Sequence, residues 1–359
     1  MNSVQDFLHP DNDDSHMDAD SHPPETGLGE KRKEGKEEKK RKAAFLCADP
    51  SNIGRVYGEE RIRELKAMAD FLPEIITPES IEKTDISGIE FLFSTWGMFS
   101  LTEEQLERMK SLKALFYAAG ATDAFCRPLL KHGISVISAW RANALPVAEF
   151  TVAQIILSLK NYFRLSIGSP EDWRNQKAGC GAYGERVALL GAGAISSRVR
   201  ELLKNYDLEV LVIPSHPEKR TVSLEEAFRT AKVVSNHFPD RDDNAGVLNG
   251  RLFSSMRDHA VFINTGRGRQ VNESELCDVL ERRPDLTALL DVTWPEPPLP
   301  GSRLYTLPNV HLSPHIAGSL NDELRRMADF VLSDFQRILA GENPLHEVKE
   351  SMLLTASGS

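Results

Sequence analysis

Residues 186–203 read RVALLGAGAISSRVRELL, and their reading decides the fold. The apolar run VALLG feeds directly into Gly191 and Gly193, after which Val199, Leu202 and Leu203 recur at helical spacing. Strand, glycine turn and helix together aim free amides and the positive end of a helix dipole at a phosphate. Gly191 permits the tight turn and Gly193 lets backbone approach a pyrophosphate. At the third position of GxGxxG stands Ser196, small enough for the helix to lie on the strand. Alone, the motif also suits a turn without a ligand, or the nucleotide loop of a methyltransferase.

Downstream, LEVLVI (208–213), a helix over 224–230, KVVSNHF (232–238), HAVFINT (259–265), a helix over 273–281, TALLDV (287–292) and VHLSPH (310–315) complete a doubly wound parallel sheet. Upstream, AAFLCAD (43–49), a helical ERIRELKAMADF (60–71), IEFLFST (89–95), a helical EEQLERMK (103–110), KALFYAAG (113–120) and ISVIS (134–138) form a first βα series. A helix over 145–163, with Pro146 in its first turn, bridges the two. The last helical stretch, 321–340, has no strand after it and is expected to pack back on the first series. The expected class is α/β, with two Rossmann-like doubly wound parallel-sheet domains, one flavodoxin-like and one dinucleotide-binding, and a cleft between them. Residues 43–144 with 322–350 make the substrate domain, 145–321 the dinucleotide domain, and 1–42 a charged, disordered tail.

The tail ends in the mixed-charge run EKRKEGKEEKKRK, read as a solvated segment rather than a docking signal. A net charge of −10 and a pI near 5.6 argue against general nucleic-acid binding, which needs clustered Lys and Arg. Cys47, Cys126, Cys180 and Cys277 are widely spaced, indicating neither a zinc site nor a disulfide framework, and no metal is expected. No apolar run approaches the roughly 20 residues of a membrane span, and the N-terminus is not signal-like, so a cytoplasmic protein with small-molecule partners is expected.

Three chemistry-bearing residues sit at or beyond strand ends of the second series: Arg267 in INTGRGR, Glu296 in DVTWPEPP and His315 in SPHIAGS. Open α/β sheets bind ligands at the carboxyl ends of their strands, so all three can converge on one crevice. A histidine with a carboxylate partner moves protons near neutral pH, and an arginine holds a carboxylate or polarises a carbonyl.

With these motifs in this order, the sequence resembles the D-isomer-specific 2-hydroxyacid dehydrogenases over roughly 90–330. The glycine loop after a long interdomain helix, an NxxRG patch (264–268), a DVxxxEP patch (291–297) and a PHIxG patch (314–318) carry the likeness. The resemblance implies that Arg267 binds the substrate carboxylate and carbonyl, that His315 is the acid/base, and that Glu296 is its partner, favouring the imidazolium. It assigns Gly191, Gly193, Ala194, Ile195, Ser215, Pro239, Thr265, Asp291 and Ala317 to the dinucleotide, Asp291 through the nicotinamide carboxamide. Ala119 and Gly120 would offer backbone amides to the substrate carboxylate, and because family members usually dimerise through the cofactor domain the resemblance also implies a homodimer. One departure is NHFPDRDDNAG, acidic where the family has a TPxT-like stretch.

The second strand ends Val212, Ile213, Pro214, Ser215, His216, without the acid that usually reads ribose hydroxyls. Lys219 and Arg220 follow and can meet a 2′-phosphate, while Glu218 leaves room for NAD. The cofactor is therefore read as NAD(P), leaning to NADP or dual use. Loops around Trp96, and around Trp140 and Asn143, with Trp294 as a third tryptophan, are expected at the pocket for a 2-keto or 2-hydroxy acid. The alternative to an enzyme is a catalytically silent, dinucleotide-sensing scaffold.

Overall fold

The computed structural model describes residues 40–176 and 178–353. Most of the expected tail, 1–39, lies outside the described residues, but Arg41 and Lys42 already belong to the fold. The Asp70 amide donates to the Arg41 carbonyl at 2.8 Å, and Lys42 opens the first strand.

The first sheet holds β1 (Lys42–Phe45), β2 (Asp70–Phe71), β3 (Phe91–Ser94), β4 (Ala114–Tyr117) and β5 (Ser135–Ser138). Its order is β2-β1-β3-β4-β5 with every pair parallel, the flavodoxin-like arrangement. Strands FLFS and ALFY are buried at every residue, as a parallel sheet covered on both faces requires. Helices α1 (Ser51–Met68), α2 (Glu103–Arg108) and α3 (Cys126–Lys131) connect its strands. The start of α2 is fixed by a capping box between Thr102 and Gln105.

Next come α4 (Trp140–Leu159) and α5 (Pro170–Asn175), then the second sheet: β6 (Glu185–Leu190), β7 (Leu208–Ile213), β8 (Val233–Asn236), β9 (Val261–Asn264), β10 (Thr287–Leu290) and β11 (Val310–Leu312). Its helices are α6 (Ala194–Leu203), α7 (Leu224–Thr230), α8 (Gly250–Ser254) and α9 (Glu273–Arg282). The order β11-β10-β9-β8-β6-β7 reverses at β6, so a crevice opens beyond the carboxyl ends of β6 and β8.

The bridging helix differs from its expected form. α4 begins at Trp140, not at 145, and Pro146 stands inside it, where its missing amide leaves the Ala142 carbonyl without the usual partner. Packing rather than proline sets its start: Ala142 lies in the first apolar core, while Ala148, Ile155 and Leu159 lie in the second. Against the expectation that no apolar run approaches membrane length, this 20-residue helix contains an 18-residue window of mean hydropathy 1.4, enough to cross a membrane by length and composition. Half of that stretch is buried between the two cores, which accounts for its apolar character.

α10 (Glu323–Leu339) returns to the first sheet, placing Met327, Val331 and Phe335 in its core. Phe335 meets Phe93 and Phe116 edge-on at 5.0 and 5.2 Å, and those two rings stack at 4.8 Å. Beyond α10 the chain runs antiparallel along β5: the Ser138 amide donates to the His346 carbonyl at 3.1 Å and the Val348 amide to the Val136 carbonyl at 2.8 Å. Buried Asp334 clamps this strap, accepting from the Leu345 amide at 2.7 Å, the His346 amide at 3.0 Å and His346 Nδ1 at 2.8 Å. A short α11 (Glu350–Leu353) follows.

Candidate functional site

A cleft of about 1400 Å3 opens at the carboxyl ends of both sheets. On the second sheet it is floored by the glycine loop. Gly191 has φ 119°, and a Cβ there would lie 2.4 Å from the His237 carbonyl oxygen, so β6 and β8 approach closely only because this residue is glycine. Gly193, in contrast, faces open space, and α6 starts there without a side-chain cap. Its first-turn amides are left to a ligand.

Three further polar atoms at the cleft lack partners: Ser196 Oγ, His237 Nδ1 and Ser319 Oγ are buried and unbonded, and all three residues line it. Buried polar groups are normally satisfied, so such a cluster marks a place where ligand atoms complete the bonding. His237 Nε2 meets Ser235 Oγ at 2.9 Å, and burial pushes the imidazole pKa down to about 3, keeping it neutral. An open glycine, free helix amides and neutral orphan donors or acceptors suit a dinucleotide pyrophosphate.

Gly193, Ala194, Ile195, Ser215, Pro239, Thr265, Asp291 and Ala317 all line this cleft, whereas Gly191 is buried beneath it. At the end of β7, Lys219 also lines it, but Arg220 turns inward. Its Nε and Nη2 donate to the Pro214 and Ser215 carbonyls at 2.8 and 2.7 Å, and its guanidinium lies over Phe238 at 5.8 Å. The expected basic pair is thus split. The unusual acids downstream have internal partners: Asp240 and Asp242 pair with Arg269 at 3.2 and 2.9 Å, and Asp243 pairs with Arg241.

His315 and Arg267 share the cleft. His315 Nδ1 meets Glu296 Oε1 at 2.6 Å, both side chains being about half exposed. Glu296 itself stands behind the imidazole, in a smaller hollow with Pro297 and Tyr305, which leaves Nε2 as the nitrogen available to the cleft. His315 takes a left-handed φ of 53°. Asp291 holds that shape: Oδ1 accepts from Ser313 Oγ at 2.5 Å and from the Ile316 amide at 2.9 Å, and Oδ2 accepts from the Ala317 amide at 2.9 Å. The resemblance assigns Asp291 to the cofactor; it lines the cleft, and its carboxylate also bonds the loop carrying His315.

Arg267 leads into a 3-10 turn, its Nη1 donating to the Gly266 carbonyl at 2.9 Å. The loop is held from below by buried amides: Asn236 Nδ2 donates to Asn264 Oδ1 at 3.0 Å and to Gln270 Oε1 at 2.5 Å, and Asn264 Nδ2 donates to the Arg267 carbonyl at 3.2 Å. This network was not foreseen; polar residues closing strands β8 and β9 were its only signal in the sequence.

On the first sheet, Gly120 and Ala121 line the cleft, but Ala119 is wholly buried and contributes no surface. The β4 end turns there, the Ala119 amide donating to the Tyr117 carbonyl and Ser138 Oγ to the Ala119 and Gly120 carbonyls. Asn143, in the first turn of α4, lines the cleft and accepts from the Ser319 amide at 3.1 Å. Trp96 and Trp140 line it too, while Trp294 is 64% exposed and stands apart. Asp123, not singled out in the sequence, also faces the cleft, its carboxyl pKa raised by burial against the pull of Arg267 and Arg127.

Two doubly wound domains around a cleft with a glycine loop on one side define a dinucleotide-binding α/β protein. Residues 154–317 match the model of the D-isomer specific 2-hydroxyacid dehydrogenase NAD-binding domain. A D-3-phosphoglycerate dehydrogenase of Bacillus subtilis is 27% identical over 252 residues, covering 67% of this chain and 48% of that one. A glycerate dehydrogenase of Methylorubrum extorquens is 25% identical over 282 residues, covering 74% of this chain and 87% of the other. The chain thus spans about half the length of the first of these relatives. In fold, a D-mandelate dehydrogenase of Rhodotorula graminis superposes with a TM-score of 0.72 at 18% identity, over 86% of this chain and 98% of that one. Over residues 154–317 the chain is thus similar to the NAD-binding domain of the D-isomer specific 2-hydroxyacid dehydrogenases.

Proposed function

We propose that this protein is an NAD(P)-dependent D-2-hydroxyacid dehydrogenase that reduces a 2-keto acid. The observation that carries the reading is the His315–Glu296 pair, opening with Arg267 onto the cleft that contains the Gly193 turn. NAD(P)H, when bound, supplies the hydride to the keto carbon. The guanidinium of Arg267, with the backbone of Gly120 and Ala121, holds the substrate carboxylate and steadies the charge that develops on the keto oxygen. His315 Nε2 donates the proton to that oxygen, with Glu296 on Nδ1 fixing the ring. Asp291 keeps the imidazole aimed by bonding the loop on both sides of it.

Lys219 at the cleft and the absence of an acid at the end of β7 support NADP or dual use; with Arg220 turned inward, the discrimination rests on Lys219 and is modest. Exposed Tyr162, Ile167, Trp173 and Tyr183, the last 87% accessible, are large apolar side chains of the kind a homodimer would cover. Four free cysteines, three of them buried, suit a reducing cytoplasm.

The test is turnover of glyoxylate, hydroxypyruvate, pyruvate and larger 2-keto acids with NADH and with NADPH. Reduction of at least one to the D-hydroxy acid is expected. A folded protein that binds dinucleotide but reduces none would be a sensing scaffold instead.

A further inference from the structure

We infer that the substrate carries an apolar side chain, branched or aromatic, received by a wall built from Trp96, Tyr117, Val348, Met352 and Leu353. The inference rests on the dehydrogenase reading above and narrows its substrate class. With the carboxylate at Arg267 and the keto oxygen at His315, the third substituent on the keto carbon is left to the first-domain side of the cleft. All five wall residues line that same cleft.

The wall is assembled by the strap along β5. Val348 and Leu353 join the apolar cluster that contains Tyr117 and Ile134, with Trp96, Met98 and Phe99 packed against it. Arg127 Nη2 donates to the Leu353 carbonyl at 2.8 Å, and the Asp334 clamp fixes the strap upstream. Met352 remains 41% exposed, a flexible thioether suited to an apolar group of variable shape.

Two of the arginines nearby donate to backbone carbonyls, and a third lies on the wall itself. Arg325 Nη1 donates to the Arg55 carbonyl at 2.7 Å and the Gly54 carbonyl at 3.3 Å, and Arg127 holds Leu353. Arg55 lies over the Trp96 ring at 5.5 Å, close enough to Asp49 to lower its carboxyl pKa. An apolar substituent is therefore favoured by the five wall side chains alone, and a doubly anionic substrate that engages Arg55 is the competing outcome.

The experiment compares kcat/KM for 4-methyl-2-oxopentanoate, phenylpyruvate, glyoxylate, hydroxypyruvate and 2-oxoglutarate with the full chain and either cofactor. Either apolar substrate is expected to exceed glyoxylate, hydroxypyruvate and 2-oxoglutarate by about tenfold or more. Met352→Ala and Leu353→Ala should each cut the ratio of 4-methyl-2-oxopentanoate to glyoxylate by about fivefold or more, with NADPH affinity by fluorescence unchanged. Preference for a small, hydroxylated or doubly anionic substrate, or an unchanged ratio in the exposed Met352 variant, overturns the wall while leaving the dehydrogenase reading intact. No turnover of any 2-keto acid overturns both.

Discussion

The two ends of the cleft are built by opposite means. At the dinucleotide end, neighbours in sequence do most of the work: Ser235 bonds His237 two positions away, and Gly191 to Ser196 form one continuous turn. At the substrate end the wall depends on contacts such as Arg127 to Leu353, 226 positions apart. The first end is polar with unsatisfied atoms, the second largely aromatic and aliphatic. Local chemistry can be read along a chain, whereas a wall assembled by tertiary packing has to be seen.

The sharpest way to separate the ends is His315→Ala. kcat should fall by about 100- to 10,000-fold, while NADPH affinity in equilibrium fluorescence stays within a few fold; near-normal turnover would remove His315 from the chemistry. Asp291→Ala comes next. If its carboxylate clamps the His315 loop, kcat drops by about 100-fold with dinucleotide affinity preserved. A weakened Kd with normal kcat would instead return Asp291 to the cofactor.

Within the dinucleotide end, Gly191→Ala should lower stability in urea titration by about 2 kcal/mol or more, because it forces both a left-handed φ and a backbone clash. Gly193→Ala, at φ −84° with open space around it, should fold normally and lose only cofactor affinity. Equal stability losses in the two would contradict their different surroundings.

The smallest effect concerns pH. Buried His237 has a folded pKa near 3, below its ordinary 6.5, so the unfolded chain takes up a proton that the folded one refuses. Stability therefore falls as pH drops from 6.5 toward 3, by about 1 kcal/mol between pH 7 and 5.5. His237→Asn should flatten that part of the urea-midpoint profile; an unaltered slope would assign the proton uptake elsewhere.

Much of the fold was legible because parallel strands buried on both faces are continuous apolar runs, and because Ser223, Asn272 and Thr102 mark helix starts with side-chain caps. α4 misled because proline usually marks a first turn, whereas here the buried alanines before it carry the helix back to Trp140. The strap after α10 was missed because it adds one short antiparallel run held by a buried Asp–His pair, and neither residue signals its partner. At the site, residue types named Arg267, Glu296 and His315, but the bonds of Asp291 to the His315 loop and the inward turn of Arg220 were hidden. An acid or base at a strand end serves a ligand or its own backbone equally well in sequence.

The platform under Arg267 has a consequence for interpreting rate profiles. Asn236, Asn264 and Gln270 are amides, with no proton to gain or lose across the working pH range, and they fix the loop by neutral bonds alone. The substrate clamp should keep its shape whether the medium is acidic or alkaline. An inflection in log kcat against pH would then originate outside these three amides, free of any distortion from the scaffold they form.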